Sequence, residues 1–197
     1  MAKQNVRTST AADVKPAYFA HAVLKTSQFE AMIKHWQTLL NAELVYHNEF
    51  LCFMTFDQEH HRLAIINQPG LETHPDTSAG LDHLAYSYSG IDDLMATYER
   101  LKDLSIRPFW CINHGPTLSL YYKDPDGNKA ELQIDVFDTI EATNNFLSSG
   151  AFSANPIGIQ FDPEVLFEAY RGGEPLAELT RRRELSSGES FFDHLPA

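Results

Sequence analysis

The sequence is poor in cysteine, in basic residues and in long apolar runs, and each shortage excludes a class of protein. Its two cysteines, Cys52 and Cys111, each lie within an apolar strand-like run. They form neither a disulfide framework nor a cysteine metal site, so buried, reduced thiols are expected. No apolar run has the length of a membrane span, and the N-terminus lacks the apolar block of a secretory signal. We expect a cytoplasmic protein that does not contact a membrane.

The shortage of basic residues argues against a nucleic-acid partner. Lysine and arginine together number 15, against 27 aspartates and glutamates, and the formal net charge is −12. The basic cluster at residues 181–183 is short. A surface of this sign repels polyphosphate. The 197 residues, 43% of them hydrophobic, are enough for one compact domain with tails.

An internal repeat organises the first two thirds of the chain. A strand-like run, a helical pattern and three more strand-like runs follow each other at residues 18–26, 27–40, 42–48, 49–56 and 61–67. The same order recurs at residues 81–89, 90–104, 107–113, 117–124 and 128–137. A segment rich in Pro, Gly, Ser and Thr, residues 67–80, separates the two copies. The order predicts two tandem βαβββ modules.

The predicted fold class is α+β, with the two modules forming a cupped mixed sheet whose concave side is a pocket. We predict a flexible leader, a double-module domain with modules 17–68 and 80–137, and a helical C-terminal extension, at residues 1–16, 17–137 and 138–197. Within the extension, helices are predicted at 138–147, 162–172 and 174–185. Open sheet edges and apolar extension residues predict a homodimer or a higher homo-oligomer.

Three residues at positions related by the repeat predict a metal site. His21 in "FAH" and His83 in "LDH" are 62 residues apart and occupy equivalent places in the two first strands. Glu131 lies in an otherwise apolar run, where a buried and unpaired carboxylate would be costly. Two imidazoles and one carboxylate are the ligands of non-haem Fe(II) oxygenases, which leave positions open for substrate and O₂. For any one of the three alone, a structural role is the more ordinary interpretation.

Three linked segments resemble a known family. "HHRLA", "GLDHLAY" and "NHGPTLSLYYKDPDGNKAEL" resemble the vicinal oxygen chelate superfamily and, within it, the type I extradiol ring-cleaving dioxygenases in a single-domain form. The resemblance covers roughly residues 17–137. It implies an enzyme that opens a small catechol-type aromatic diol next to its hydroxyl pair, with Fe(II) and O₂. It also implies that the ion, with Mn(II) as an alternative, is bound by His21, His83 and Glu131.

The resemblance further implies a catalytic role for His61, His114 and Tyr121. An imidazole on the O₂ side of the metal, His61, can donate a hydrogen bond and act as acid or base near neutral pH, while His60 points away. Tyr121 can hydrogen-bond the substrate oxygen, and His114 can contact the same hydroxyl or shield the site. A core tyrosine and a turn histidine are the structural alternatives for these two residues.

Two other functions remain open at this point. A metal-dependent lyase or isomerase of the glyoxalase type has the same module order, but it uses a fourth ligand from the last strand of the first module. That strand has Leu63, Ala64 and Ile65 where a carboxylate would be needed. A metal-free small-molecule binding protein of the same fold is the second alternative, since fold alone does not decide function. Iron content after anaerobic purification separates the metal-free alternative from the dioxygenase.

Overall fold

The computed structural model describes residues 14–72, 75 and 78–196, and its elements follow the predicted repeat. The first module consists of β1 (Ala22–Thr26), α1 (Phe29–Leu40), β2 (Glu43–His47), β3 (Leu51–Thr55) and β4 (Leu63–Asn67). The second consists of β5 (His83–Ser87), α2 (Ile91–Asp103), β6 (Trp110–Asn113), β7 (Thr117–Lys123) and β8 (Lys129–Asp135). Both have the order βαβββ, and the predicted fold class is confirmed. Most of the predicted leader lies outside the described residues.

Each module builds its own mixed sheet, with strand order β1-β4-β3-β2 in the first and β5-β8-β7-β6 in the second. In both sheets the first and last strands of the module pair in parallel, and the other pairs are antiparallel. Val23 pairs with Ala64, and Ala85 pairs with Glu131. The repeat therefore extends to the register of the strands. Ala64 occupies the place that Glu131 has in the second module.

The two helices bury one apolar face each and join the modules into one core. Helix α1 buries Trp36 among other residues spaced at helical period, and α2 buries Tyr98 in the same way. The indole of Trp36 lies 6.1 Å from the ring of Tyr86 on β5, and its Nε1 donates to Asp124 Oδ2 over 3.0 Å. Buried residues of both modules belong to the same hydrophobic cluster. The first module is thus held against the second through α1.

A tight turn precedes the strand that carries Glu131. The Oδ1 atom of Asp124 accepts the backbone N–H groups of Asp126 and Asn128 over 2.9 and 2.8 Å. Gly127 has a φ of +87°, which favours glycine. The turn chemistry that "KDPDGN" predicts is therefore present, and it sets the start of β8.

The C-terminal extension wraps around the second module. It contains α3 (Ile140–Leu147), α4 (Gly150–Ala154), β9 (Ile159–Gln160), α5 (Pro163–Arg171), α6 (Leu176–Leu179) and a 3₁₀ turn (Phe191–His194). Strand β9 pairs antiparallel with β6 and becomes the fifth strand of that sheet. Helix α5 packs on α2, where Tyr98 donates to Glu164 Oε1 over 2.8 Å and contacts the ring of Phe167.

The extension differs from the prediction in two places. The helix predicted at residues 174–185 is limited to Leu176–Leu179, and beyond it Arg182 and Arg183 contact a backbone carbonyl and a carboxylate of other segments. The predicted joining segment, residues 148–161, contains α4 and β9. None of the helices in the described part of the chain has the length and apolar character that crossing a bilayer requires.

Candidate metal and substrate site

Glu131 is a buried carboxylate at the middle of β8, between Ala85 of β5 and Tyr121 of β7. The residue is 5% exposed, and its Oε2 atom lies 3.0 Å from Nε2 of His83. Burial favours the neutral form, but hydrogen bonds from His83, Ser119 and Tyr121 outweigh it and hold the pKa of Glu131 below its ordinary value. The carboxylate is therefore ionised at neutral pH.

His83 is the first residue of β5 and lies between two carboxylates. Its Nε2 faces Glu131, and its Nδ1 lies 2.6 Å from Oδ2 of Asp82, whose other oxygen contacts Lys129 Nζ at 3.1 Å. The hydrogen bond to Glu131, opposed by burial and assisted by Asp82, raises the pKa of His83 to about 9. An imidazole held at Nδ1 by a carboxylate has a fixed direction for Nε2, as metal-binding histidines commonly do. Asp82 was not predicted, although it directly precedes His83 in "LDH".

His114 and Tyr121 extend this polar group. The hydroxyl of Tyr121 lies 3.1 Å from Nε2 of His114, and Nδ1 of His114 hydrogen-bonds the carbonyl oxygen of Ile157. Burial lowers the pKa of His114, whereas burial and the neighbouring Glu131 raise the pKa of Tyr121. The imidazole is thus neutral and the hydroxyl protonated near pH 7. We refer to His83, His114, Tyr121 and Glu131 as the Glu131 cluster.

A second group lies in the first module. His21 directly precedes β1 and is exposed, and its ring centroid is 4.4 Å from that of His61. His61 stacks on Phe53 at 4.3 Å and its Nδ1 lies 2.6 Å from Nδ1 of His60. Burial, His21 and His60, in that order, lower the pKa of His61. We refer to His21 and His61 as the His21–His61 pair.

The predicted metal ligands divide between these two groups. His83 and Glu131 are in contact, whereas His21 contacts His61. Within residues 14–72, 75 and 78–196, no three His, Cys, Asp or Glu side chains are arranged as a metal-binding group. An imidazole nitrogen and a buried carboxylate that meet at one point are nevertheless suitable donors for a divalent transition metal. Two of the three predicted ligands therefore fit such an ion in position and chemistry.

Two arginines that hold the backbone near these groups were not predicted. Arg62 donates to the carbonyl oxygens of Phe19 and Ala20, just before His21, and pairs with Asp57 over 2.9 Å. Arg182 donates to the carbonyl oxygen of His114. Contacts to backbone carbonyls leave no pattern of side chains in a sequence, so no motif indicates them.

The fold and these groups can be compared with known proteins. The family described as the Glyoxalase/Bleomycin resistance protein/Dioxygenase superfamily matches residues 18–132. This chain belongs to that superfamily. Among its relatives there, biphenyl-2,3-diol 1,2-dioxygenase 2 of Rhodococcus globerulus is 45% identical over 163 residues, which cover 82% of this chain and 86% of the relative. Biphenyl-2,3-diol 1,2-dioxygenase 3 of the same organism is 42% identical, over 83% and 87% of the two chains.

Solved structures of the superfamily share the fold of the double module. The lactoylglutathione lyase from Agrobacterium tumefaciens has a TM-score of 0.50 and 17% identity, covering 61% of this chain and 95% of that one. A glyoxylase/bleomycin resistance protein/dioxygenase domain from Frankia sp. EAN1pec has a TM-score of 0.52 and 17% identity, covering 61% and 99%. The resemblance that the sequence predicts is confirmed.

Proposed function

We propose that the protein is an extradiol ring-cleaving dioxygenase that uses Fe(II) and O₂ to open a catechol-type aromatic diol next to its hydroxyl pair. The Glu131 cluster is the observation that carries the proposal: a buried, ionised carboxylate meets an imidazole whose direction a second carboxylate fixes. The identity of 45% with biphenyl-2,3-diol 1,2-dioxygenase 2, over 82% of the chain, supports the same chemistry. Biphenyl-2,3-diol is therefore the first substrate to test.

In this proposal His21, His83 and Glu131 hold the metal ion. Bound there, the ion would offer open positions at which diol and O₂ meet, and proximity supplies much of the rate. Glu131 contributes the anionic ligand, and its low exposure keeps competing water away. Asp82 keeps Nε2 of His83 directed at the same point. His21 is the third ligand and the second imidazole donor, from the neighbouring module.

The remaining residues manage protons. Nε2 of the neutral His114 can accept a proton from a substrate hydroxyl, because Nδ1 faces a carbonyl oxygen that can only accept. The protonated hydroxyl of Tyr121 can donate to a substrate oxygen. His61, beside His21, is the acid or base on the oxygen side.

The place equivalent to Glu131 in the first module argues against a glyoxalase-type site. Ala64 stands there, 2% exposed, and offers no oxygen ligand. A site without a fourth protein ligand keeps positions for two reactants, which a dioxygenase needs.

The proposal is tested by purifying the protein anaerobically and measuring iron per subunit and ring opening of biphenyl-2,3-diol. Glu131→Gln and His83→Ala should lower both together, because each removes a ligand. Asp135→Asn, which changes an exposed carboxylate on the same strand, should leave both unchanged. Wild-type protein that binds a diol without iron and leaves it intact would indicate a binding module. Metal-loaded protein that isomerises a substrate without consuming O₂ would indicate a lyase or isomerase.

We also propose that two copies of the chain form a homodimer. Strand β2 is one of the two edge strands of the first sheet, and its five residues, including Leu44, Val45 and Tyr46, are all exposed. An uncovered edge strand with apolar side chains is a site for association. Light scattering at micromolar concentration should give the mass of a dimer, and a monomer mass would contradict this proposal.

A further inference from the structure

His114 is joined to the C-terminal extension through its ring. Its Nδ1 hydrogen-bonds the carbonyl oxygen of Ile157, which lies 43 residues further along the chain, and its Nε2 lies 3.1 Å from the hydroxyl of Tyr121. A carbonyl oxygen accepts but does not donate, so Nδ1 carries the hydrogen. The lone pair of the neutral ring is therefore on Nε2, the nitrogen that faces the hydroxyl of Tyr121 and lies 3.9 Å from Oε1 of Glu131.

The turn that carries the Ile157 carbonyl is rigidly closed. Asn155, 4% exposed, donates from Nδ2 to the carbonyl oxygen of Gly158 over 2.9 Å and accepts the Gly158 N–H at Oδ1 over 2.7 Å. Gly158 has a φ of +122°, and a Cβ there would lie 2.4 Å from the carbonyl oxygen of Asn113 at the end of β6. Only glycine allows the turn to approach β6, and so His114, this closely.

Arg182 joins the two backbone segments. Its Nη1 donates to the carbonyl oxygens of His114 and Asn155, both over 2.9 Å, and its Nη2 donates to that of Ala151 over 3.1 Å. The guanidinium also lies 5.0 Å over the ring of Phe146. A planar fork with several donors can bridge three carbonyls, which a lysine ammonium cannot do in the same geometry.

The neighbouring arginines have other contacts. Arg181 is 71% exposed at its side chain and pairs with Glu178 over 2.7 Å. Arg183 pairs with Glu189 over 2.6 Å. Of the cluster at 181–183, Arg182 is the residue that contacts the backbone of His114.

We infer that Arg182 is a positioning residue for His114: by holding residues 114 and 155 together it keeps the Ile157 carbonyl against Nδ1, and so fixes the tautomer and direction of the imidazole. The extension thus contributes to the site without contacting the substrate. The kinetic consequence rests on the proposed function, in which Nε2 of His114 accepts a proton. Loss of a hydrogen-bonding partner behind a functional side chain typically costs about 10- to 100-fold in activity.

The tautomer can be measured directly by long-range ¹H–¹⁵N NMR of the ¹⁵N-labelled full-length chain, loaded with diamagnetic Zn(II) in place of Fe(II). The spectrum of His114→Gln identifies the His114 signals. Wild type should have hydrogen on Nδ1. Arg182→Met, which keeps an apolar stem against Phe146 but removes the donors, should give a mixture of tautomers and a kcat/KM for biphenyl-2,3-diol lower by about 10- to 100-fold. Arg181→Met is the matched control and should resemble wild type in both measurements.

An Arg182→Met protein with the wild-type His114 tautomer would overturn the inference. If that variant does not fold, as judged by circular dichroism, Arg182→Gln replaces it, because its shorter amide cannot bridge the three carbonyls. Unaltered His114 signals in the folded Arg182→Gln protein would be equally decisive. If wild type opens no diol, the proposed function fails, whereas the tautomer spectra still decide whether Arg182 positions His114.

Discussion

His60 and His61 are adjacent in sequence but have different surroundings. The side chain of His60 is 73% exposed, whereas His61 is half-buried between Phe53 and His21. The sequence predicted this difference from strand alternation, yet β4 begins at Leu63 and both histidines precede it. Their difference in exposure comes instead from the packing of His61 on Phe53, and His60 does not point away, because the Nδ1 atoms of the two rings are 2.6 Å apart. The proposed catalytic role therefore falls on the histidine that is fixed by neighbours.

The two histidines can be separated by matched substitutions. We expect His61→Gln to keep iron and bind the diol anaerobically, but to lose turnover by about 10²–10⁴, the usual contribution of a positioned acid or base. His60→Gln should lower turnover far less, because its exposed ring contacts His61 but has no proposed contact with the reactants. Iron per subunit, anaerobic diol binding and steady-state turnover distinguish the two. Loss of iron in His61→Gln as severe as in Glu131→Gln would show that His61 is a ligand instead.

The two cysteines provide a second test on individual residues. Cys52 and Cys111 are 0% and 4% exposed, and burial raises the pKa of their thiols to about 11 and about 12. Since the thiolate is the reactive form, neither should react with a thiol reagent at pH 8 until the protein is unfolded. Titration in buffer and then in guanidinium should give no thiols and two thiols. Rapid labelling of the native protein would contradict the burial of both side chains.

Among the secondary-structure elements, α1 contacts the turn before β8 and so joins the first module to the second. Asp124 is 7% exposed and accepts hydrogen bonds from the Trp36 indole and from the side chain and backbone of Asn128. The same carboxylate thus closes a turn in the second module and binds a helix of the first. The sequence predicted the turn from its Asp, Pro and Gly residues, but the partner on α1 is 88 residues away in the chain and has no local signal.

Removing this carboxylate should weaken the junction. We expect Asp124→Ala to lower the free energy of unfolding by about 1–3 kcal/mol, the cost of leaving a buried donor such as the Trp36 N–H unpaired. Asp126→Ala is the control, because this half-buried carboxylate of the same turn accepts an exposed hydrogen bond from Gln28, so its loss leaves no buried donor unpaired and should cost less. Urea unfolding followed by tryptophan fluorescence measures both. Equal destabilisation by the two changes would assign the effect to the turn alone.

For the whole molecule, the sequence predicts the repeated double module well and the C-terminal extension less well. Hydrophobic periodicity places the ten elements of the double module, because nearly all of them pack apolar side chains into the same core, although β2 buries none. The extension has no second copy to compare with, and it is held by tertiary contacts: Gly158 allows β9 to reach β6, and Arg182 contacts three backbone carbonyls of other segments. The pairing of Glu131 with His83 follows from the predicted modules, whereas the role of Ile157 does not.

Deleting residues 139–197 tests the extension as a unit. The deletion removes the strand that covers β6 and the buried Leu166 and Phe167 of α5, and it exposes apolar surface on α2. We expect a lower melting temperature and impaired turnover, although all six proposed site residues remain. Thermal unfolding by circular dichroism and turnover of biphenyl-2,3-diol measure the two effects. A truncated protein that equals wild type in both would contradict the role given to the extension.

The hydrogen bond between His114 and the carbonyl of Ile157 also affects how the site can change by mutation. Every amino acid has a backbone carbonyl, so no replacement of the isoleucine side chain can delete this acceptor. A survey of single substitutions would find position 157 tolerant and would assign it no role in activity. The contact depends instead on His114 itself and on the residues that hold the two backbone segments together, Asn155, Gly158 and Arg182, so selection on the contact acts at those positions.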